Sequence, residues 1–145
     1  MQWNNENNEK EFLKKCKKYF HMKNRQIKAL LLDQSFVAGL GNIYIDEALW
    51  RSRIHPLQIS SRIPLKKLRA LHESIIYILT ESIKHHGTTI RDFAFEGFRI
   101  GDYASHLKVF NKTGLPCPRC NKPITKIKVA SRGTHICINC QRLRN

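Results

Sequence analysis

Acidic residues are scarce in this sequence. Asp and Glu together number 11, whereas Lys and Arg number 26, so the 145 residues carry a formal charge of +15. A surface this basic attracts polyanions, and three classes of partner fit it: nucleic acid, an anionic membrane and an acidic protein. The composition therefore predicts an anionic partner before any motif is considered.

Long apolar runs and a secretion signal are also missing. No stretch of about 18 apolar residues occurs, which excludes a membrane-spanning helix. The first residues, Met1 to Glu6, lack the basic-then-apolar order of a signal peptide. We therefore expect a cytoplasmic protein with no membrane partner, and nucleic acid becomes the favoured polyanion.

Cysteines are few, but four of the five form two C-x-x-C pairs: Cys117 with Cys120, and Cys137 with Cys140. Sixteen residues separate the pairs, which matches a known zinc-binding spacing. Two intervening residues let both sulfurs of a pair turn toward one point, and zinc takes four thiolates as a tetrahedron. Two disulfides, or a redox C-x-x-C, suit a cytosolic chain with two matched pairs poorly. We predict one structural Zn²⁺ on these four cysteines.

The segment between the two pairs predicts a β-hairpin. Residues 124–129 alternate between apolar and polar, residues 134–136 offer a partner strand, and residues 131–133 are the expected turn. Because a segment this small has little hydrophobic core, we expect zinc binding to drive its folding. His135 lies two residues before Cys137, a poor spacing for a fifth ligand, and we expect it on a strand face.

Before the cysteines the periodicity is helical. Helices are predicted from residue 9 to 20, over 27–32, over 43–51 with Asn42 as N-cap, and over 64–84 with Pro64 in the first turn. Cys16 falls in the apolar set of the first helix, so it is interpreted as a core residue. The expected fold is a mainly α-helical domain followed by a small β-hairpin zinc finger.

This pattern divides the chain into four parts. Residues 1–8 are polar and expected to be frayed, and residues 9–87 form the helical domain. Residues 88–109 lack a clear period and are interpreted as a connector. Residues 110–145 form the four-cysteine finger.

Several strings resemble the formamidopyrimidine-DNA glycosylase family. Residues 33–34 and 37–49 resemble its helix-two-turn-helix signature. Residues 106–120 resemble the start of its zinc finger, and residues 132–141 resemble the tip and the end of that finger. The resemblance spans about residues 20 to 142. It implies a helix-two-turn-helix DNA-binding domain in residues 9–87 and double-stranded damaged DNA as the partner.

The resemblance also implies roles for individual residues. Asn42, after Gly41 at a helix start, resembles the family's phosphate-binding asparagine, and backbone N–H groups at a helix start suit an anion. Arg132 resembles the finger arginine that grips phosphates beside the lesion, and Lys28 is a further basic candidate. Without the resemblance, Asn42 reads as a plain N-cap and Arg132 as a solvated turn residue.

The family's catalytic groups have no match in this chain. Its enzymes attack the sugar C1′ with the amine of an N-terminal proline, assisted by a neighbouring glutamate, whereas Gln2 follows Met1 here. The N-terminal β-sandwich, with its catalytic lysine, has no counterpart either. We therefore assign no catalytic residue and expect neither glycosylase nor lyase activity from this chain alone. A separately encoded catalytic half is a candidate partner, and the chain is expected to be monomeric.

The family's lesion-capping loop would fall near residues 95–103, within the connector. Two other functional classes remain open at this point. One is a non-enzymatic DNA- or RNA-binding protein that keeps the helix-two-turn-helix and the finger. The other is a zinc-ribbon module for protein interaction.

Overall fold

The computed structural model describes residues 9–16, 25–33, 41–85 and 102–144. Within these residues the chain forms four α-helices, two short 3-10 helices and one β-hairpin. The helices are α1 (residues 9–16), α2 (Ile27–Leu32), α3 (Asn42–Arg51) and α4 (Leu65–Lys84). The 3-10 helices are Ser60–Arg62 and Asp102–His106, and the strands are β1 (Thr125–Val129) and β2 (Arg132–Ile136). This order confirms the predicted fold class.

Helix α4, the longest of the described helices, forms one wall of the core. Its residues Leu68, Leu71, Ile75 and Ile78 follow one another at steps of three and four, so they share one buried face. They form a cluster with buried residues from the other three helices, which include Phe12, Leu30, Ile45 and Leu49. No helix in the described part of the chain is both long enough and apolar enough to cross a membrane.

Cys16 belongs to this core. Its side chain is 1% exposed and packs in the same cluster. Burial raises the pKa of its thiol to about 12, which leaves the sulfur protonated at neutral pH. The interpretation of Cys16 as a small core residue is confirmed.

Two predicted helix starts need correction. Asn42 is the first residue of α3, and Gly41 is its N-cap, with no side-chain cap hydrogen bond. Pro64 is the N-cap of α4, not a first-turn residue. Both errors are one residue long, because sequence pattern alone does not fix which residue leaves the helical backbone conformation first.

The hairpin turn also lies elsewhere than predicted. Val129 pairs directly with Arg132, so the turn consists of Ala130 and Ser131, and residues 132–133 belong to β2. Ala130 and Ser131 have φ values of 51° and 64°. Positive φ at both central residues is typical of the type I′ turn, whose twist matches that of the flanking strands. Gly133 suggested the turn from the sequence, but strand twist decided its position.

The finger is attached to the helical core through α3. The carboxylate of Glu47 accepts hydrogen bonds from the backbone N–H groups of Lys108, Val109 and Phe110, at 2.7, 2.8 and 2.9 Å. These bonds fix the chain where it leaves the connector. Trp50 packs with Val109, Ile124 and the cysteines in a second buried cluster. The finger is therefore held in a defined position against α3.

Some predicted features lie outside the described residues. They are the frayed N-terminus (residues 1–8) and most of the lesion-capping loop (residues 95–101). Tyr103, at the end of that predicted loop, is described and buried against the helical core.

Candidate metal centre and nucleic-acid interface

Four sulfur atoms meet at the open end of the hairpin. The Sγ atoms of Cys117, Cys120, Cys137 and Cys140 all lie within 4.8 Å of one another. The Cys117–Cys140 and Cys120–Cys137 pairs are 3.8 Å and 3.4 Å apart. Zn–S bonds of about 2.3 Å in a tetrahedron place sulfurs about 3.8 Å apart. The arrangement therefore fits a zinc ion with all four positions taken by protein, which is a structural site.

Neighbouring N–H groups favour thiolate at the first pair, Cys117 and Cys120, whereas burial raises the pKa of Cys137. The backbone N–H of Lys122 lowers the pKa of Cys120 to about 6. The indole N–H of Trp50 points at the sulfur of Cys117 from 3.4 Å. Arg119 covers the other side of the Trp50 ring, 3.8 Å from its centroid, and its guanidinium donates to the backbone carbonyl of Trp50 at 2.6 Å. Sequence reasoning did not find the role of Trp50.

Asn42 and the hairpin tip lie side by side, although 90 residues separate Asn42 from Arg132 in the chain. The side-chain amide of Asn42 donates to the carbonyl of Gly133 at 3.2 Å. An amide nitrogen carries two hydrogens, so this bond uses one of the two N–H donors of Asn42. Arg132, the neighbour of Gly133, is exposed, and so is Gly41. Three of the predicted DNA-binding residues therefore meet on one face.

Lys28 occupies a different environment. It is 0% exposed, and its ammonium contacts Asp46 Oδ1 at 2.6 Å and Thr134 Oγ1 at 2.7 Å. The Gly133 carbonyl lies 3.4 Å away. Burial lowers the pKa of Lys28, and the carboxylate of Asp46 opposes this shift. In this structure no surface of Lys28 is open to a phosphate, so the residue positions the tip of the finger instead.

Asp46 completes the connection between α3 and β2. Its second oxygen accepts the backbone N–H of His135 at 3.0 Å and lies 3.2 Å from His135 Nδ1. Asp46 was missed as a site residue, because an acid near the start of a helix predicts no more than a favourable interaction with the helix dipole. The one available signal was Lys28, a single lysine in the otherwise apolar string of α2, since a buried lysine requires a carboxylate partner.

Residues 4–94 match the formamidopyrimidine-DNA glycosylase H2TH domain. The chain belongs to this family. Residues 114–143 match the zinc finger found in FPG and IleRS, which agrees with the four-sulfur site. The resemblance predicted from the sequence is confirmed, and the finger is a four-cysteine zinc site.

The formamidopyrimidine-DNA glycosylase of Desulforamulus reducens is 48% identical over 128 residues, which are 88% of this chain and 46% of that protein. The enzyme of Lactobacillus helveticus is 50% identical over 119 residues, or 82% of this chain and 43% of the relative. The chain therefore spans about half the length of the curated relatives it matches.

Solved structures of the family also superpose on this chain. MutM in complex with DNA containing carbocyclic 8-oxo-G superposes with a TM-score of 0.78 at 42% identity, over 92% of this chain and 46% of MutM. Lactococcus lactis Fpg in complex with DNA containing an abasic site superposes with a TM-score of 0.80 at 42% identity, over 92% and 47% of the two chains.

Proposed function

We propose that this chain is the DNA-binding part of a formamidopyrimidine-DNA glycosylase and holds duplex DNA at a damaged base in base-excision repair. The observation that carries the proposal is the contact between Asn42 and the carbonyl of Gly133, the residue next to Arg132. Two elements distant in sequence thereby present polar donors on one face of a chain with a formal charge of +15. The solved neighbours, which are complexes with DNA, support the same function.

The two donors suit phosphate in different ways. Asn42 begins α3, where the unpaired backbone N–H groups and the helix dipole favour an anion. Arg132 is exposed at the tip of a twisted hairpin, and a guanidinium can hold a phosphate through two parallel hydrogen bonds. The Lys28–Asp46 pair fixes the spacing between them. Such contacts position the duplex without reading its sequence.

The first experiment measures binding of a labelled duplex by fluorescence anisotropy at several salt concentrations. Arg132→Ala and Asn42→Ala should both weaken binding, and Arg132→Ala should flatten the salt dependence by about one unit, since one phosphate contact is lost. Arg62→Ala removes an exposed arginine that lies outside this face and is the matched control. Wild-type affinity in both site variants would overturn the proposal.

The enzymatic part of the proposal concerns the complete family enzyme. We infer that the chain binds as a monomer, works inside the cell, and contributes to base removal only together with a catalytic half. The test combines it with a separately expressed N-terminal sandwich of a relative and measures cleavage of DNA containing 8-oxoguanine. Cleavage only in the mixture supports this role. Tight DNA binding without cleavage in any mixture favours the alternative, a non-enzymatic DNA-binding protein.

A further inference from the structure

Five cationic side chains line a cavity of about 320 Å³ between the start of α4 and the C-terminal tail. We call it the basic pocket; its cations are Arg53, Arg62, Lys67, Arg142 and Arg144. No carboxylate lines it, and within the described residues no salt bridge reaches any of the five. The charges of Arg144 and Arg53 add to burial in lowering the pKa of Lys67. Among the described residues the pocket therefore has no counter-charge.

Buried amides hold the walls of this pocket in place. Gln58, 6% exposed, accepts the backbone N–H of Arg144 at 2.8 Å and donates to the Arg144 carbonyl. Gln141, 1% exposed, donates to the carbonyl of Ile54 at 3.0 Å. The tail that carries two of the arginines is thus fastened to the helical domain, so the cations are presented by a built surface.

The floor of the pocket is apolar, and the apolar surface continues beyond it. Ile54, Ile63 and Pro64 contribute to the lining. A second cavity of about 580 Å³ adjoins the pocket, since His55 and Arg142 line both. Its lining includes Ile138 and Leu143, which are 60% and 45% exposed. Exposed apolar side chains beside unpaired cations are typical of an interaction surface.

This surface lies at the opposite ends of the elements that carry the DNA-binding face. Asn42 begins α3, whereas Arg53 follows its last turn, about 15 Å further along the helix axis. Arg132 begins β2 at the hairpin tip, whereas Arg142 lies beyond the zinc end of the same strand. A duplex held by Asn42 and Arg132 therefore leaves the basic pocket free. A phosphate backbone would also leave the exposed Ile138 and Leu143 of the adjoining cavity uncovered.

We propose that the basic pocket and the adjoining cavity form a docking surface for an acidic segment of a partner protein that carries apolar side chains among its carboxylates. The carboxylates would pair with the arginines, which suit bidentate contacts. The apolar side chains would cover Ile138 and Leu143, which are exposed in the adjoining cavity. The partner would bind while the opposite face holds DNA.

The test uses the zinc-loaded 145-residue chain and a fluorescein-labelled 12-residue peptide of Glu and Asp with three Leu. The double variant Arg142→Glu/Arg144→Glu should weaken peptide binding at least about tenfold, because two attractive charges become repulsive. Lys10→Glu/Lys84→Glu makes the same change in net charge at exposed positions elsewhere and should have a much smaller effect. If Arg142→Glu/Arg144→Glu loses zinc, the variant Arg62→Glu repeats the test, because Arg62 is remote from the cysteines in sequence.

Two further measurements separate this surface from the DNA-binding face. A peptide with Ser in place of Leu should bind clearly more weakly than the parent, and unlabelled duplex DNA should not displace the parent peptide. Equal loss in both double variants, equal binding of the two peptides, or displacement by duplex would each overturn the proposal. The duplex affinity of Arg142→Glu/Arg144→Glu should match that of the Lys10→Glu/Lys84→Glu control, whatever the outcome for the peptide.

Discussion

At the scale of single residues, the buried pair of Lys28 and Asp46 connects the DNA-binding elements. Both side chains are 0% exposed, and together they contact Thr134 and His135 on β2. A buried ion pair is seldom a net source of stability, but removal of one partner leaves an uncompensated charge. Its function here is positional, since it sets the distance between Asn42 and the hairpin tip.

Lys28→Met should lower the free energy of unfolding by about 3 kcal/mol, because Asp46 keeps its buried charge and loses its ammonium partner. The double variant Lys28→Met/Asp46→Asn should recover a large part of the lost unfolding free energy, since the amide oxygen still accepts the His135 N–H. Urea denaturation measures both, and exposed Lys66→Met is the control. Equal losses in the single and double variants would contradict this account.

His55 provides a prediction on pH. Burial lowers the pKa of its imidazole, and its Nδ1 accepts the backbone N–H of Leu57 at 3.0 Å. The folded state thus binds fewer protons than the unfolded state. The stability that His55 contributes is complete above its ordinary pKa of about 6.5 and is lost as the pH falls through the lower folded value.

His55→Asn should reduce this pH dependence, because an asparagine side chain can accept the same N–H two residues on without titrating. The unfolding free energy of zinc-saturated protein, measured at about pH 7.5 and about pH 5.5, should fall less in the variant than in the wild type. An unchanged difference between the two pH values would show that His55 is not a source of acid sensitivity.

At the scale of elements, α3 carries three side chains that position the other functional parts of the molecule. Asn42, Asp46 and Trp50 recur every four residues, so they lie along one side of the helix. They contact, in turn, the Gly133 carbonyl, the His135 backbone and the sulfur of Cys117. One helix therefore sets Asn42, the asparagine proposed to bind DNA, the hairpin and the zinc site relative to one another.

Trp50 should report zinc binding in a Trp3→Phe background. Chelation of the metal should shift its emission to longer wavelength, because the finger loses its folding energy and uncovers the indole ring. Far-ultraviolet circular dichroism should change little, since the helical core is a separate cluster. Added zinc should restore the emission. Loss of the helical signal in step with the emission would mean that the two units do not unfold separately.

The hairpin turn offers a stabilising change. Ala130 and Ser131 hold positive φ, which costs energy for residues with a Cβ. Ala130→Asn/Ser131→Gly installs the pair favoured in type I′ turns and should raise the unfolding free energy of the zinc-loaded chain by about 1 kcal/mol. Ala130→Val should instead lower the unfolding free energy. Two variants of equal stability would argue against the turn assignment.

At the scale of the whole molecule, we propose two binding surfaces. The start of α3 and the hairpin tip form one, and the basic pocket at the far ends of these elements forms the other. The basic pocket contains an amine and an imidazole, Lys67 and His55, but it lies at the far ends of the elements that carry Asn42 and Arg132. Lys28, the fully buried lysine of the described residues, is enclosed by Asp46 and Thr134.

The 145-residue chain should therefore form no borohydride-trapped adduct with DNA that contains an abasic site. Schiff-base formation needs an unprotonated amine placed against C1′, and placement accounts for several orders of magnitude in rate. The assay compares the chain with an intact family enzyme on a denaturing gel. An adduct that forms at the rate of the intact enzyme would reveal a nucleophile that this structure does not identify.

The sequence by itself determined the fold class, the family and the zinc ligands. Each rests on a local pattern: the 3.6-residue periodicity of the helices, the two C-x-x-C pairs and the string around Asn42. Local patterns also named Arg132, but they placed the hairpin turn wrongly, because strand twist and pairing decide which residues adopt positive φ.

Only the tertiary structure decided which distant residues meet. It buried Lys28 against Asp46 and Thr134, directed Trp50 to Cys117, and gathered five cations from three segments of the chain around one pocket. The physical reason is that burial and ion pairing depend on contacts between residues far apart in the chain, and no periodicity records them. A single lysine in an apolar helix predicts a partner, but the fold alone selects which carboxylate it is.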